Sequence, residues 1–425
     1  MTDSAMAYEF EQADDTAQVP TSSARLVPRI AIQAFCVSQA VHDTMQNATA
    51  DRRLSRAHVA VQSGGIQAAI SYYSNAPTPN LVIVESDADA QQLLDEIGTL
   101  AGVCDEGTNV IVIGHKNDVV LYRELVRRGV SDYVIAPVSI LQIIDSVASI
   151  YDDPERGLSG NAIAFVGAKG GAGSSTVAHN VSWAIAELIG EDVVITDLDL
   201  AFGTVGLDFN QDPPQGIADA LNSPDRLDEV LLDRLLSKCT DKLNLFAAPS
   251  TLDREYDIEH EALQSIVDIL RSTAPIISLD LPHMWTGWMR RTLLDADQVV
   301  ITATPDLANL RNAKNLFDVL RAQRPNDRPP YLVLNQMGMP KRPEISLRDF
   351  SEALSAEPVL TIQFDPQLFG TAANNGQMIA ELPNGAKVAG GFTDLAKLLT
   401  GRRVAMKPRK PRFAGLKLDL FRKKG

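Results

Sequence analysis

From residue 29 onward, short apolar runs alternate with longer stretches in which apolar residues recur at the helical period. The apolar runs fall at 30–35, 58–61, 81–84, 109–113 and 133–135, and the periodic stretches at 38–48, 65–73, 88–100, 119–128 and 140–150. Five strand–helix units within about 120 residues predict a small doubly wound parallel sheet, because each helix is the crossover that a parallel strand pair requires. Residues 1–27 show no such period. They are rich in Ala, Ser, Thr, Asp and Gln and are expected to be disordered. A turn-forming stretch at 152–161, with Asp153, Pro154, Gly157, Ser159 and Gly160, predicts a linker. The alternation then resumes over 162–402 and gives way to a basic tail at 403–425. The chain is thus expected to hold two α/β domains, at 28–151 and 162–402, and its 425 residues exceed one ordinary core.

Composition narrows the class. With 45% hydrophobic and 22% charged residues the chain is of ordinary globular make-up. No stretch approaches the roughly 20 apolar residues of a spanning helix. The start is acidic (Asp3, Glu9, Glu11, Asp14, Asp15), unlike a signal peptide, so a cytoplasmic protein is expected. Cys36, Cys104 and Cys239 form no CxxC pair and read as buried small residues. The six histidines lack metal-ligand spacing and are expected to be structural or superficial. The formal charge of -15 is uneven: ten Lys/Arg oppose only Asp419 between 401 and 425, and this net +9 leaves -24 on the rest. An acidic body argues against a broad nucleic-acid surface, so DNA is an unexpected partner. The tail reads in two ways, as a solvated extension or as a contact for anionic lipid. In the second, Phe413, Leu416 and Leu420 share one helical face beside Arg422, Lys423 and Lys424.

The densest chemistry lies at 162–176. An apolar run leads into Gly167-Ala168-Lys169-Gly170-Gly171-Ala172-Gly173-Ser174-Ser175-Thr176, and a helical stretch follows. Glycines there let the backbone N–H groups of 170–175 approach a phosphate at the positive end of a helix. Lys169 stands early in the loop, and Ser174 takes the place of the usual lysine before Ser/Thr. The early lysine resembles the deviant Walker A loop of the ParA/MinD family of dimerising ATPases. The serine narrows the resemblance to the CpaE/TadZ branch, which positions Flp-type (Tad) pilus machinery. By position Ser175 would bind Mg²⁺ and Thr176 would lie near the α-phosphate. The resemblance implies that Lys169 reaches across a homodimer interface to the partner's ATP. A neutral Ser174 removes a cation from the β/γ oxygens and implies slow hydrolysis.

Acidic residues follow in family order. Asp197-Leu198-Asp199 closes an apolar strand and resembles a switch I element, with Asp197 expected in the metal shell and Asp199 orienting the attacking water. Asp280, at the end of the strand 274–280 and ahead of Pro282, resembles a Walker B/switch II acid near Mg²⁺. Asn335 resembles the residue that reads adenine, and the Phe364-Asp365-Pro366 turn resembles the segment that closes over the base.

The first domain resembles a response-regulator receiver, most clearly over 125–137, but its chemistry is missing. Cys36-Val37-Ser38 stands where the metal-binding acids belong, Glu85 replaces the acceptor aspartate, and Ala136 replaces the lysine before Pro137. A docking pseudo-receiver is therefore expected. Together with the ATPase-like region, it implies a regulator at the cell pole, partnered with a pilus secretion ATPase and polar localisation factors at the inner face of the plasma membrane. Two other classes stay open: a ParA-type nucleic-acid segregation ATPase, and a scaffold that no longer uses nucleotide.

Overall fold

In a computed structural model, residues 26–151, 160–252 and 257–402 are described. The chain divides into two compact units at 157/158, and a short segment, Val319–Pro329, groups with the first.

The first unit holds a five-stranded parallel sheet of β1 (Ala31–Cys36), β2 (His58–Ser63), β3 (Leu81–Ser86), β4 (Asn109–Gly114) and β5 (Asp132–Ile135), in the order β2-β1-β3-β4-β5. The central strand β3 is buried at every position, as a strand covered on both faces must be. Helices α1 (Gln39–Ala48) and α5 (Ile140–Ile150) bring Val41, Met45, Ile143 and Val147 to one face. Helices α2 (Gly65–Tyr73), α3 (Ala90–Ala101) and α4 (Val119–Arg127) bring Ile66, Leu93, Leu121 and Leu125 to the other. Their starts are set by sequence: Ser38, Asp89, Asp118 and Ser139 each accept a first-turn backbone N–H. This is the receiver-like (βα)5 arrangement that the alternation predicts.

The second unit carries an eight-stranded sheet. Its strands are β6 (Asn161–Gly167), β7 (Val193–Asp197), β8 (Ser237–Lys238), β9 (Leu243–Phe246), β10 (Ile276–Leu281), β11 (Gln298–Ala303), β12 (Tyr331–Met337) and β13 (Pro358–Gln363). The order is β13-β12-β11-β6-β10-β7-β9-β8, parallel except for the β8–β9 pair. That short antiparallel edge carries no alternating signal long enough to read from sequence. Strands β6 and β10 pair at the centre and are almost wholly buried. Parallel central strands put their carboxyl ends along one edge of the sheet, where ligands of such folds bind. The glycine loop, the Asp197-Leu198-Asp199 turn and Asp280 all lie at that edge. Among the described residues, no helix is long and apolar enough to cross a membrane.

Candidate nucleotide site

The loop after β6 turns into α6 (Ser174–Trp183) through Gly173, whose φ of 88° suits glycine alone. Space imposes the same choice, since a Cβ on Gly173 would stand 2.4 Å from Asn335 Nδ2. The loop's carbonyls are held from behind. Ala168 O accepts from Asn312 Nδ2 (2.9 Å), Gly171 O from Gln336 Nε2 (3.1 Å) and Ala172 O from Asn335 Nδ2 (2.9 Å), while His283 Nδ1 lies 3.0 Å from Gly167 O. Within the loop the Ala172 N–H donates to Lys169 O (3.1 Å), and the first turn of α6 adds amides that no helix can satisfy internally. The first such bond inside the helix is Val177 N to Gly173 O. Lys169, Gly170 and Gly171 are exposed, Ala172 is buried, and Gly173 to Thr176 are half-buried.

The acids gather beside the loop. Asp280 on β10 pairs in register with Asp197 on β7, and both are buried. Asp197 Oδ1 accepts from Asp199 N (3.1 Å) and Oδ2 from Val205 N (3.2 Å), so this carboxylate also shapes the loop that follows it. Burial, and next the charge of Asp280, push its pKa above the usual carboxylate range. Asp199 is half-buried and accepts Phe202 N at 3.1 Å. Asp280 Oδ1 and Ser174 Oγ are buried without a hydrogen-bond partner. Two orphaned polar atoms, one on the loop and one on the neighbouring strand, beside helix-start amides fit a Mg²⁺-bound phosphate. Among the described residues no three His, Cys, Asp or Glu side chains form a cage of their own. A cation here would draw its remaining ligands from phosphate and water, as Mg²⁺ commonly does.

The sequence-predicted residues are not all free for a ligand. Asn335 is nearly buried, its Nδ2 spent on Ala172 O and its Oδ1 on Gln336 N, so it braces the loop. Asp365 caps the helix Pro366–Asn375 through Leu368 N (2.9 Å). The spacing of histidines assigns no role to His179, yet it lies fully buried between Asp208 and Asp280. Asn312, Gln336 and His283 were equally silent in sequence, because each reaches the loop from a distant segment.

In the receiver-like unit, Glu85 sits at the carboxyl end of β3 with its side chain buried. Oε2 accepts the N–H groups of Val37 (2.6 Å) and Ser38 (2.8 Å), Oε1 accepts Ser38 Oγ (2.7 Å), and His115 Nε2 lies 3.0 Å away. Burial alone would raise its pKa, but the Ser38 hydroxyl, the Ser38 and Val37 amides and His115 together lower it below the usual 4.5. The carboxylate thus ties β3 to the start of α1.

A glycine loop on the central strand, opening a helix beside two strand-end acids, defines a P-loop nucleotide-binding domain. No family model matches the chain. The septum site-determining protein MinD of Synechocystis is 30% identical over 247 residues, covering 56% of this chain and 88% of the relative. A ParA family ATPase from Chlorobium tepidum superposes with a TM-score of 0.51 at 24% identity, over 56% of this chain and 98% of its own. The pilus assembly protein CpaE of Caulobacter crescentus is 50% identical, over 30% of this chain and 98% of its own, with a TM-score of 0.30. The chain belongs to the ParA/MinD family.

Proposed function

We propose that the protein is an ATP-binding, slowly hydrolysing dimeric regulator that localises and helps to assemble Flp/Tad-type pilus secretion machinery. The observation that carries this reading is the loop itself. Four of its carbonyls are held from behind by side chains, its early lysine is exposed, and a serine stands where the second lysine is expected. The N–H groups of 170–175 would hold the phosphates, with Ser175 and Asp280 at Mg²⁺, Asp197 buttressing Asp280, and Asp199 orienting water. Bound Mg²⁺ supplies charge neutralisation at the β/γ oxygens. Without a lysine at 174 that neutralisation is incomplete, which favours a long-lived ATP state.

Dimerisation is supported by exposed apolar side chains: Phe202, Leu207, Met284, Trp285 and Leu307 are large, exposed and carried on the segments that follow β7, β10 and β11. A second copy would cover them. In the receiver-like unit Val119, Val120, Tyr122 and Val126 are exposed along α4. With Glu85 engaged, that unit suits docking to a pilus secretion ATPase or polar factors better than phosphotransfer. Calorimetric titration of the full chain with Mg·ATP tests the reading: one saturable nucleotide per chain is expected, and no binding heat at any concentration overturns it.

A further inference from the structure

The nucleotide reading gives no task to His179, although few buried groups are so particular. It lies on α6, the helix that begins at the loop, with no exposed surface. Nδ1 is 2.7 Å from Asp208 Oδ2 and Nε2 is 3.3 Å from Asp280 Oδ2. The first contact is a hydrogen bond. The second is at ion-pair distance but is not a hydrogen bond, and Nε2 and the other Asp280 oxygen, Oδ1, are both buried with no hydrogen-bond partner. An imidazole that faces a carboxylate on each side has acceptors for two N–H groups, the complement of the charged ring.

Asp208 ends α7 (Val205–Asp208), a single turn that begins where Val205 N donates to Asp197 Oδ2. Thr204 Oγ1 lies 3.4 Å from the same Asp208 Oδ2 that His179 meets. This turn is therefore tied at one end to the Asp197 carboxylate and at the other, through His179, to Asp280. It carries Leu207, with Phe202 just ahead of it, and both are about three-quarters exposed (72% and 73%).

We infer that His179 is a positioning residue that couples Asp280 at the nucleotide site to α7 and the apolar surface of Phe202 and Leu207. The inference rests on the nucleotide reading above. When Asp280 turns toward a cation, the ring keeps only Asp208, and the α7 turn is drawn onto it. When the site empties, the two carboxylates share the ring and the turn relaxes. Such a link has two arrangements that a ligand can bias, the requirement for transmission between sites.

Hydrogen exchange of the full chain, with and without Mg²⁺ and a non-hydrolysable ATP analogue, tests it. In the wild type, nucleotide should slow exchange across residues 202–210. Asp208→Asn keeps the shape of a partly exposed side chain and leaves the loop untouched. It should bind the analogue, as followed by fluorescence of a labelled nucleotide, yet lose the slowing at 202–210. His179→Gln should lose it too. In the wild type with ¹⁵N-labelled histidine, the His179 Nδ1 signal, on the side of Asp208, should shift on adding Mg·nucleotide, and an Nδ1 signal that ignores bound nucleotide would contradict the link to Asp208. Slowing that persists in both variants with nucleotide bound overturns the coupling and leaves nucleotide binding intact. A wild type that binds no nucleotide overturns both.

Discussion

Gly173→Ala isolates the geometry of the loop in one methyl group. The residue sits at φ 88°, where an L side chain costs roughly 1–2 kcal/mol. The new Cβ would also meet Asn335 Nδ2 at 2.4 Å, so that amide must leave Ala172 O, to which it now donates at 2.9 Å. Parting a buried donor from its acceptor costs about 1–3 kcal/mol. The sum is about 2–5 kcal/mol, with a midpoint near 3.5. In a domain of this size each kcal/mol moves the melting temperature by roughly 2–4 °C, so a fall of about 7–14 °C is expected. Differential scanning calorimetry of the full chain gives the shift of the nucleotide-binding unit. Asn335→Ala removes the clash, so the double variant should cost less than the two single changes added, since the residues touch. An unchanged melting temperature in Gly173→Ala, or strict additivity in the double variant, would refute the claim that Asn335 braces the loop through this glycine.

Three further outcomes are expected. Ser174→Lys restores a cation near the β/γ oxygens and should raise steady-state ATP turnover by at least about tenfold, in line with the weight of charge neutralisation in phosphoryl transfer; flat turnover in a phosphate-release assay would show that another step limits hydrolysis. Glu85→Gln should destabilise the receiver-like unit by about 2–4 kcal/mol at neutral pH, given charge-assisted bonds from Val37, Ser38 and the Ser38 hydroxyl. Because the folded pKa of Glu85 is depressed, its stabilisation is present above the usual 4.5 and is lost as pH falls through the folded value, so urea midpoints of wild type and variant should converge in acid. The basic tail at 403–425 lies outside the described residues; a chain ending at Arg402 should lose salt-sensitive co-sedimentation with anionic liposomes, and equal binding by both chains would leave the tail a solvated extension.

The alternation of apolar runs and helical stretches made both parallel sheets legible, because buried parallel strands are continuous apolar runs and their crossovers need helices. The loop was legible for a related reason: phosphate binding by backbone amides demands glycines at fixed places, and Gly170, Gly171 and Gly173 are where the chain turns. Asp197 and Asp280 were legible as strand-end acids, and the structure sets them side by side on neighbouring strands. What stayed hidden depends on contacts across long separations. Asn312, Gln336 and His283 hold loop carbonyls from segments more than a hundred residues away. His179 is hidden differently, since one histidine in a helix has no pattern until Asp208 and Asp280 are seen on either side. The hairpin at β8–β9 escaped because two residues of edge strand carry no period.

The exposed lysine of the loop bears the central claim, because the proposed function gives Lys169 its task across a twofold interface, at the nucleotide of a second copy. Multi-angle light scattering of wild type and Lys169→Ala, each with Mg²⁺ and with or without a non-hydrolysable ATP analogue, tests it most directly. The wild type should shift from monomer to dimer mass on adding nucleotide. Lys169→Ala should still bind the analogue, with affinity within a few-fold of wild type, yet remain at monomer mass. A variant that dimerises as readily as the parent, or a wild type whose mass ignores bound nucleotide, would contradict it.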